Sequence, residues 1–257
     1  NNHICIYEES KNIEERYKEN IELATQIKEA ILGNRIICHY QPLLNIENSE
    51  IYSYESLVRL IDNKGNSLAP YKFLDFSKKI KLYSSITKIV VTQACKTFQN
   101  RDENFSINLS VDDIKDLETV DFILKTIKET NTSRRVTFEI LESEGIENYQ
   151  EVISFINQIK SLGAKIAIDD FGTGYSNFEH LLRLDVDYIK IDGSLIKNIV
   201  TDDKHRLIVE TIVSFARRIG IKTVAEFVSD EKILQTIKEI GISCAQGYHI
   251  GKPETLV

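Results

Sequence analysis

Hydrophobic positions recur along this chain with two different periods. From Ile13 to Leu32 they return every three or four residues, which predicts an amphipathic helix, and Gly33 is typical of a helix end. The same period predicts six further helices, at residues 86–98, 120–127, 152–162, 178–184, 207–219 and 233–240. Short runs rich in Ile, Val and Tyr predict eight strands, at residues 36–40, 51–57, 105–109, 136–140, 164–168, 188–191, 223–225 and around Cys244.

The predicted strands and helices mostly alternate. This order is typical of parallel strands joined by crossover helices, and eight repeats favour closure into a barrel. Only residues 45–50 separate the first two strands, which suits a hairpin rather than a helical crossover. We therefore expect the α/β class, as a modified TIM-type (β/α)8 barrel with one antiparallel strand near the N-terminus.

The chain of 257 residues is long enough for one barrel, and no break in composition follows Gly33. We expect residues 1–18 to be a linker or helical lead-in and residues 19–257 to form one domain. The first residues resemble neither a signal peptide nor a translated start. We therefore expect a piece of a longer protein that carries an upstream sensory or regulatory domain, and the sequence leaves open whether that protein is anchored in a membrane.

Charge and cysteine content narrow the class of partner. The formal net charge of −7 argues against a nucleic acid polymer, whereas a small phosphorylated ligand held through metal ions is compatible with it. No apolar run approaches the roughly 18 residues that would cross a bilayer. The cysteines are far apart and form no C-x-x-C pair, so we expect reduced thiols and a cytoplasmic domain. They are Cys5, Cys38, Cys95 and Cys244.

Polar residues stand at the carboxyl ends of the predicted strands, which meet at one opening of such a barrel. They are Glu55, Asn108, Glu139, Glu142, Asp169, Asp170, Lys190, Glu226 and Gln246. Each one alone is explained equally well as a solvated loop residue. Together, so many carboxylates would repel one another unless cations were bound, and this oxygen-rich set suits Mg²⁺ or Mn²⁺.

Two strand ends carry more specific expectations. Adjacent residues of a regular strand point to opposite faces, so we expect Asp169 or Asp170 to lie on a turn if both reach metal. Lys190 lies within an apolar strand, where a buried lysine requires negative partners. It could hold or deprotonate a metal-bound water, or it could form a purely stabilising ion pair with Asp192 or another carboxylate. Arg59 could contact a phosphate, although spacing alone favours a surface arginine.

Taken together, the motifs resemble those of the EAL-domain phosphodiesterases, which hydrolyse the bacterial second messenger cyclic di-GMP. The resemblance covers roughly residues 21–257. The motifs are Tyr40-Gln41-Pro42, Glu55-Ser56-Leu57-Val58-Arg59, Asn108-Leu109-Ser110, Glu139-Ile140-Leu141-Glu142, Asp169-Asp170-Phe171-Gly172-Thr173-Gly174-Tyr175-Ser176, Lys190-Ile191-Asp192, Ala225-Glu226, and Gln246-Gly247-Tyr248 with Lys252-Pro253.

The resemblance implies a role for each matching residue. The implied ligands of two divalent cations are Glu55, Asn108, Glu139, Asp169 and Asp170. It further implies that Lys190 positions the attacking water and that Glu226 and Gln246 complete the water and metal shell. Glu142 would brace the loop at residues 171–176, Arg59 would meet a phosphate, and Gln41 would line the guanine pocket. Members of the family commonly form homodimers.

Three residues depart from the family pattern. Ser56 replaces an alanine, Phe227 a glycine and Ser229 a glutamate. The loss of a carboxylate could weaken binding of the second cation, and a phenyl ring could alter the pocket wall.

These observations favour metal-assisted hydrolysis of cyclic di-GMP to linear pGpG, with two ions that lower the pKa of a bridging water. The main alternative is a receptor that binds cyclic di-GMP without hydrolysing it and signals to an upstream domain. A barrel enzyme for another phosphodiester is the second alternative. No G-G-D-E-F segment is present, which argues against synthesis of the messenger.

Overall fold

The computed structural model describes residues 2–143, 149–172 and 178–256. Its nine strands in the described part are β1 (Ile36–Asn45), β2 (Glu50–Ile61), β3 (Ser67–Leu68), β4 (Asn104–Leu109), β5 (Val136–Leu141), β6 (Lys165–Phe171), β7 (Tyr188–Ile191), β8 (Lys222–Ala225) and β9 (Cys244–Gln246). The α-helices are α1 (Asn2–Leu32), α2 (Leu74–Lys79), α3 (Tyr83–Phe98), α4 (Val111–Lys115), α5 (Leu117–Glu129), α6 (Tyr149–Ser161), α7 (Phe178–Arg183), α8 (Gly193–Ile196), α9 (Asp203–Arg218) and α10 (Glu231–Ile240).

The fold divides into two compact units. The first contains the residues up to Ile37 together with Val58–Ile89, and the second contains Cys38–Leu57 and the residues from Val90 onward. In the first unit α1 contacts α2, and a short 3₁₀ helix covers Pro70–Lys72. The helix α1 runs without interruption past residue 18 and ends immediately before Gly33. The expected boundary at residue 18 and the expected single domain stay predictions.

Eight strands form a closed barrel in the order β1-β9-β8-β7-β6-β5-β4-β2, because β1 also pairs with β2. The strand β1 runs antiparallel to β9, with Leu43 opposite Gln246, and the pairs from β2 and β4 round to β8 and β9 are parallel. The predicted barrel with one antiparallel strand near the N-terminus is therefore confirmed. The short connection between β1 and β2 is the feature that indicated it.

The strand β2 corrects one prediction. Its expected end was Leu57, but the strand continues to Ile61, because its last residues pair with β3 in the first unit. Leu60 lies opposite Leu68 in this antiparallel pair. No sequence signal predicts β3, because a strand of two residues is too short to show hydrophobic periodicity.

The inside of the barrel is built in two layers. An apolar layer packs Leu43, Ala167, Tyr188, Val224 and Cys244 against one another. Side chains alternate across a strand, so the residue two positions further on points the same way. In the parallel strands that step toward the carboxyl end leads from Ala167 to Asp169, from Tyr188 to Lys190, from Val224 to Glu226 and from Cys244 to Gln246. In the antiparallel β1 it runs backward, from Leu43 to Gln41.

Helix starts of the second unit are capped by side chains. Asp116, Asp202 and Asp230 accept backbone hydrogen bonds at the first turns of α5, α9 and α10, and Ser110 forms a capping box with Asp113 at α4. Within the described residues, no helix combines the length and the apolar composition that a bilayer span requires.

We expect Ser56→Ala to stabilise the protein. The Ser56 hydroxyl is buried and has no hydrogen-bond partner among the described residues, so its removal should add up to about 1 kcal/mol to the free energy of unfolding. The matched control is Ser110→Ala, which removes a buried hydroxyl that caps α4 and should cost about 1 kcal/mol. Thermal unfolding followed by circular dichroism shows whether each variant is more or less stable than the unchanged protein. A destabilised Ser56→Ala variant would contradict the conclusion that the Ser56 hydroxyl has no stabilising partner in the described part of the chain.

Candidate active site

The polar layer of the barrel gathers residues from every strand of the closed sheet. All but one of the residues predicted for the site, from strand ends or from the family resemblance, belong to the second unit and lie toward the same end of the barrel. These are Gln41, Glu55, Asn108, Glu139, Glu142, Asp169, Asp170, Lys190, Glu226 and Gln246. The exception is Arg59, which lies in the first unit.

The centre of this layer is the Lys190 ammonium group, which is 2% exposed. Its Nζ atom lies 2.7 Å from Glu139 Oε2, 2.9 Å from Glu226 Oε1, 3.0 Å from Asp169 Oδ1 and 3.6 Å from Glu55 Oε2. The alternative partner Asp192 is used elsewhere, since its carboxylate accepts a hydrogen bond from the backbone nitrogen of Ser194. One lysine on β7 therefore binds carboxylates that come from four other strand ends.

Amide side chains hold the Glu55 carboxylate on its other side. Asn108 Nδ2 donates to Glu55 Oε1 at 2.7 Å, and Gln246 Nε2 donates to Glu55 Oε2 at 2.6 Å. Gln246 Nε2 also lies 3.2 Å from Gln41 Oε1, and Gln41 Nε2 donates to the carbonyl of Gly251 at 3.1 Å. Gln41 and Gln246 are both buried, so this chain of contacts fixes the orientation of the carboxylate.

The adjacent Asp169 and Asp170 both lie within β6, so neither lies on the turn that was expected if both reach metal. The strand instead has a register shift between Ile168 and Phe171, and Asp170 has a φ of 55°. An irregularity of this kind re-aims a side chain, because the extra residue breaks the alternation of faces. It brings carboxylate oxygens of Asp169, Asp170 and Glu226 within 4.8 Å of one another.

Glu142 lies immediately after β5, and its Oε2 atom accepts a hydrogen bond from the backbone nitrogen of Gly172 at 3.3 Å. This contact is at the start of the loop that Glu142 is expected to brace. Residues 173–177 of that loop lie outside the described part of the chain.

Burial and charge act against each other in this cluster. Burial lowers the pKa of Lys190, but the surrounding carboxylates outweigh it and raise the pKa well above the ordinary value. Burial likewise raises the pKa of Glu55, yet Lys190, Gln246 and Asn108 reverse the effect and leave that pKa lowered. For Glu139, burial and the neighbouring carboxylates raise the pKa by more than Lys190 lowers it, so this pKa lies well above its usual value. One lysine does not compensate the whole cluster.

Comparison with known proteins identifies the family. A family model described as the EAL domain matches residues 24–253. The chain belongs to the EAL domain family.

Curated relatives of this EAL domain include cyclic di-GMP phosphodiesterase PdeB of Shewanella oneidensis, at 35% identity over 99% of the chain, and cyclic di-GMP phosphodiesterase PdeF of Escherichia coli, at 30% identity over 95%. The chain covers 31% and 33% of these two relatives, or about a third of their length. A solved structure described as the PaMucR phosphodiesterase in complex with c-di-GMP superposes with a TM-score of 0.86 at 27% identity, covering 91% of this chain and 97% of the other.

The donor set of this EAL domain fits divalent cations. Five carboxyl groups and one lysine meet at the barrel end, and carboxylate and amide oxygens are the ligands that hard cations prefer. The Oε1 atom of Gln246 is buried and has no hydrogen-bond partner among the described residues, which leaves an acceptor without a donor in the same layer. Burial and the neighbouring Asp169 raise the pKa of Asp170, and a cation would relieve this repulsion.

Two residues discussed in the sequence analysis, Arg59 and Ser229, lie apart from this donor set. Arg59 donates to the carbonyl of Val58 within the first unit, so its phosphate contact stays a prediction. Ser229 is exposed and its hydroxyl donates to Asp230, the N-cap of α10. Gly251 was not predicted, because it takes part through its backbone carbonyl alone and no side-chain pattern indicates such a contact.

We expect Lys190→Met to destabilise the EAL domain by about 3–5 kcal/mol above about pH 8, because buried carboxylates lose their counter-charge. The loss should shrink as the pH falls below about 8, because Glu226 and Glu139, whose pKa values are raised, then bind protons that neutralise part of the cluster. The matched control is Lys160→Met. Lys160 also binds two carboxylates, Asp185 at 2.9 Å and Asp187 at 3.1 Å, but its side chain is 23% exposed. That exposed pair should be worth about 1 kcal/mol or less. Urea unfolding measures the free energy of unfolding of both variants. An equal decrease in the two would contradict the role of Lys190 as the counter-charge of the buried carboxylates.

A second prediction concerns pH. Burial, with help from Asp169 and Glu55 and against the pull of Lys190, raises the pKa of Glu226 from 4.5 to about 8. Between these values the folded state binds a proton that the unfolded chain does not, so this group's contribution to stability is present at acidic pH and lost as the pH rises through about 8. In EDTA, stability should therefore fall less steeply with rising pH for Glu226→Gln than for the unchanged protein. Parallel profiles in urea unfolding would contradict the assignment.

Proposed function

We propose that this EAL domain hydrolyses one phosphodiester bond of cyclic di-GMP to give linear pGpG, with two divalent cations, Mg²⁺ or Mn²⁺. The observation that carries the proposal is the set of carboxylates held around Lys190 at the end of the barrel where such folds place their chemistry. The names of the curated relatives and the c-di-GMP complex of the MucR structure support the choice of substrate.

The residues that would hold the cations are Glu55, Asn108, Glu139, Asp169 and Asp170. The geometry adds Glu226 to this group, since its carboxylate lies with those of Asp169 and Asp170. Bound cations would supply an activated nucleophilic water and would neutralise charge that develops on the phosphate. The residues of the chain contribute by presenting oxygen donors in one layer of fixed side chains.

Lys190 and the amide side chains have separate tasks in this proposal. Lys190 Nζ keeps four carboxylates oriented and holds a proton, because its pKa is raised well above the ordinary value. Gln246 anchors Glu55 through its Nε2 atom and keeps its Oε1 atom available as an acceptor for a water. Gln41, which Gly251 and Gln246 hold in place, would meet a guanine edge, and Arg59 would meet a phosphate oxygen.

The partners proposed for the whole protein follow from the same comparison. The curated relatives are about three times as long as this chain, which agrees with an upstream regulatory domain. We also propose a homodimer. Exposed apolar side chains on and near α7, α8 and α9 offer a surface for it, namely Leu182, Val200, Leu207 and Ile208.

The alternative function is a receptor that binds cyclic di-GMP without turnover. The replacement of a carboxylate by Ser229, which contacts Asp230 instead of the cluster, is the observation in its favour. A receptor would bind cyclic di-GMP in the presence of Mg²⁺ and release no pGpG.

We expect Asp169→Asn and Glu55→Gln each to lower the rate of pGpG formation by about 100-fold or more, because both remove a charged oxygen donor without changing side-chain volume. The matched control is Asp185→Asn, which changes an exposed carboxylate that binds Lys160 and should leave the rate within about twofold. Chromatography of cyclic di-GMP incubated with each protein and Mg²⁺ measures the product. Substantial activity in both site variants would contradict the proposal, and an inactive unchanged protein that still binds would support the receptor.

A further inference from the structure

Phe227 directly follows Glu226 and is unfavourable in two respects. Its φ is 54°, a left-handed backbone conformation in which a bulky residue is an outlier, and its side chain is 56% exposed. Strain of this kind costs on the order of 1–3 kcal/mol and persists only where the surrounding structure enforces it. An exposed aromatic ring in such a conformation is not explained by burial of apolar surface.

The ring is held in place by its neighbours. It lies against Gly193, where an added Cβ would be only 2.2 Å from Phe227 Cδ2 and 2.6 Å from Cγ, so only glycine fits against this edge of the side chain. Lys197 Nζ lies 4.1 Å from the ring centroid, a distance at which a cation is attracted to an aromatic face. Gly193 begins the short helix α8 and Lys197 is the residue that directly follows it, so one segment holds the ring at both contacts.

The position of this ring places it at the rim of the carboxylate layer. The backbone nitrogen of Glu226 donates to the carbonyl of Ile191 at 3.2 Å, which ties the start of the Phe227 segment to the end of β7. Asp192, between Ile191 and Gly193, is near enough to Asp170 to act on its charge. Phe227 thus lies next to Glu226, one of the residues that would bind the cations, and its side chain is 56% exposed.

We propose that Phe227 is a stacking surface for a guanine base of the substrate, and that it determines substrate affinity rather than the rate of bond cleavage. This inference rests on the proposed function, since a cyclic dinucleotide supplies both the phosphate and the base. Aromatic side chains stack on bases with about 1–3 kcal/mol per base. Such a contact would offset the backbone strain at Phe227 when substrate is bound.

The chain contains no tryptophan, so Phe227→Trp creates a single fluorescent reporter at the proposed contact. Rapid mixing of this variant with Mg²⁺ and excess cyclic di-GMP should quench its fluorescence, and the quench should reverse as pGpG is released. The control is Ile51→Trp, an exposed position at the amino-terminal end of β2. Its fluorescence should not change.

The outcomes separate the two proposals. A quench that persists without pGpG formation supports stacking and contradicts hydrolysis. Formation of pGpG by Phe227→Trp without any fluorescence change overturns the stacking proposal alone. A chain that neither forms pGpG nor responds overturns both.

Steady-state kinetics provide an independent measurement. Phe227→Gly should raise KM by about 5- to 100-fold, which corresponds to the stacking energy of one base. The value of kcat should stay within about threefold, and Phe227→Tyr should restore KM. The glycine variant should fold at least as stably as the unchanged protein, because glycine adopts φ near 54° without strain. An unchanged KM, or a fall in kcat alone, would overturn the proposal.

Discussion

The whole candidate site depends on the burial of one ammonium group among carboxylates. Lys190 lies on β7, and its four partners come from β2, β5, β6 and the residue after β8. Isolated buried charges are costly, so each partner makes the burial of the others tolerable. The lysine does not compensate them fully, however, because Glu139 and Glu226 keep raised pKa values beside it. These carboxyls therefore hold protons that a bound cation would replace, which is what makes the layer suited to cations.

The closed barrel brings Lys190 and its carboxylate partners together. The strands β1, β6, β7, β8 and β9 each place one side chain in the apolar layer and another, two residues along, in the polar layer, so the core and the site share the same faces of these strands. The antiparallel β1 obeys the same rule in reverse, which is why Gln41 precedes its apolar neighbour Leu43. The stability of the apolar layer therefore also positions the site, and the two cannot be changed independently.

The backbone departs from regular strand geometry at two positions in the candidate site. Asp170 and Phe227 have φ values of 55° and 54°, and each directly follows a carboxylate that binds Lys190. At Asp170 the irregularity turns a second carboxylate toward the first, and at Phe227 it turns a ring over Gly193. Backbone strain that is maintained at two corresponding positions indicates that the arrangement of side chains there, rather than local stability, decides these conformations.

Local patterns in the sequence were enough to predict the barrel, its antiparallel strand and nearly all the polar side chains at its carboxyl end, because strand periodicity and connection length are local properties. They did not determine the length of β2, the pair β2–β3, or the irregularity at Asp169 and Asp170, since these depend on partners distant in the chain. The contact of Phe227 with Gly193, which are 34 positions apart in the chain, likewise exists only in the folded protein. Such contacts follow from the way strands close into a barrel, and no pattern within one segment encodes them.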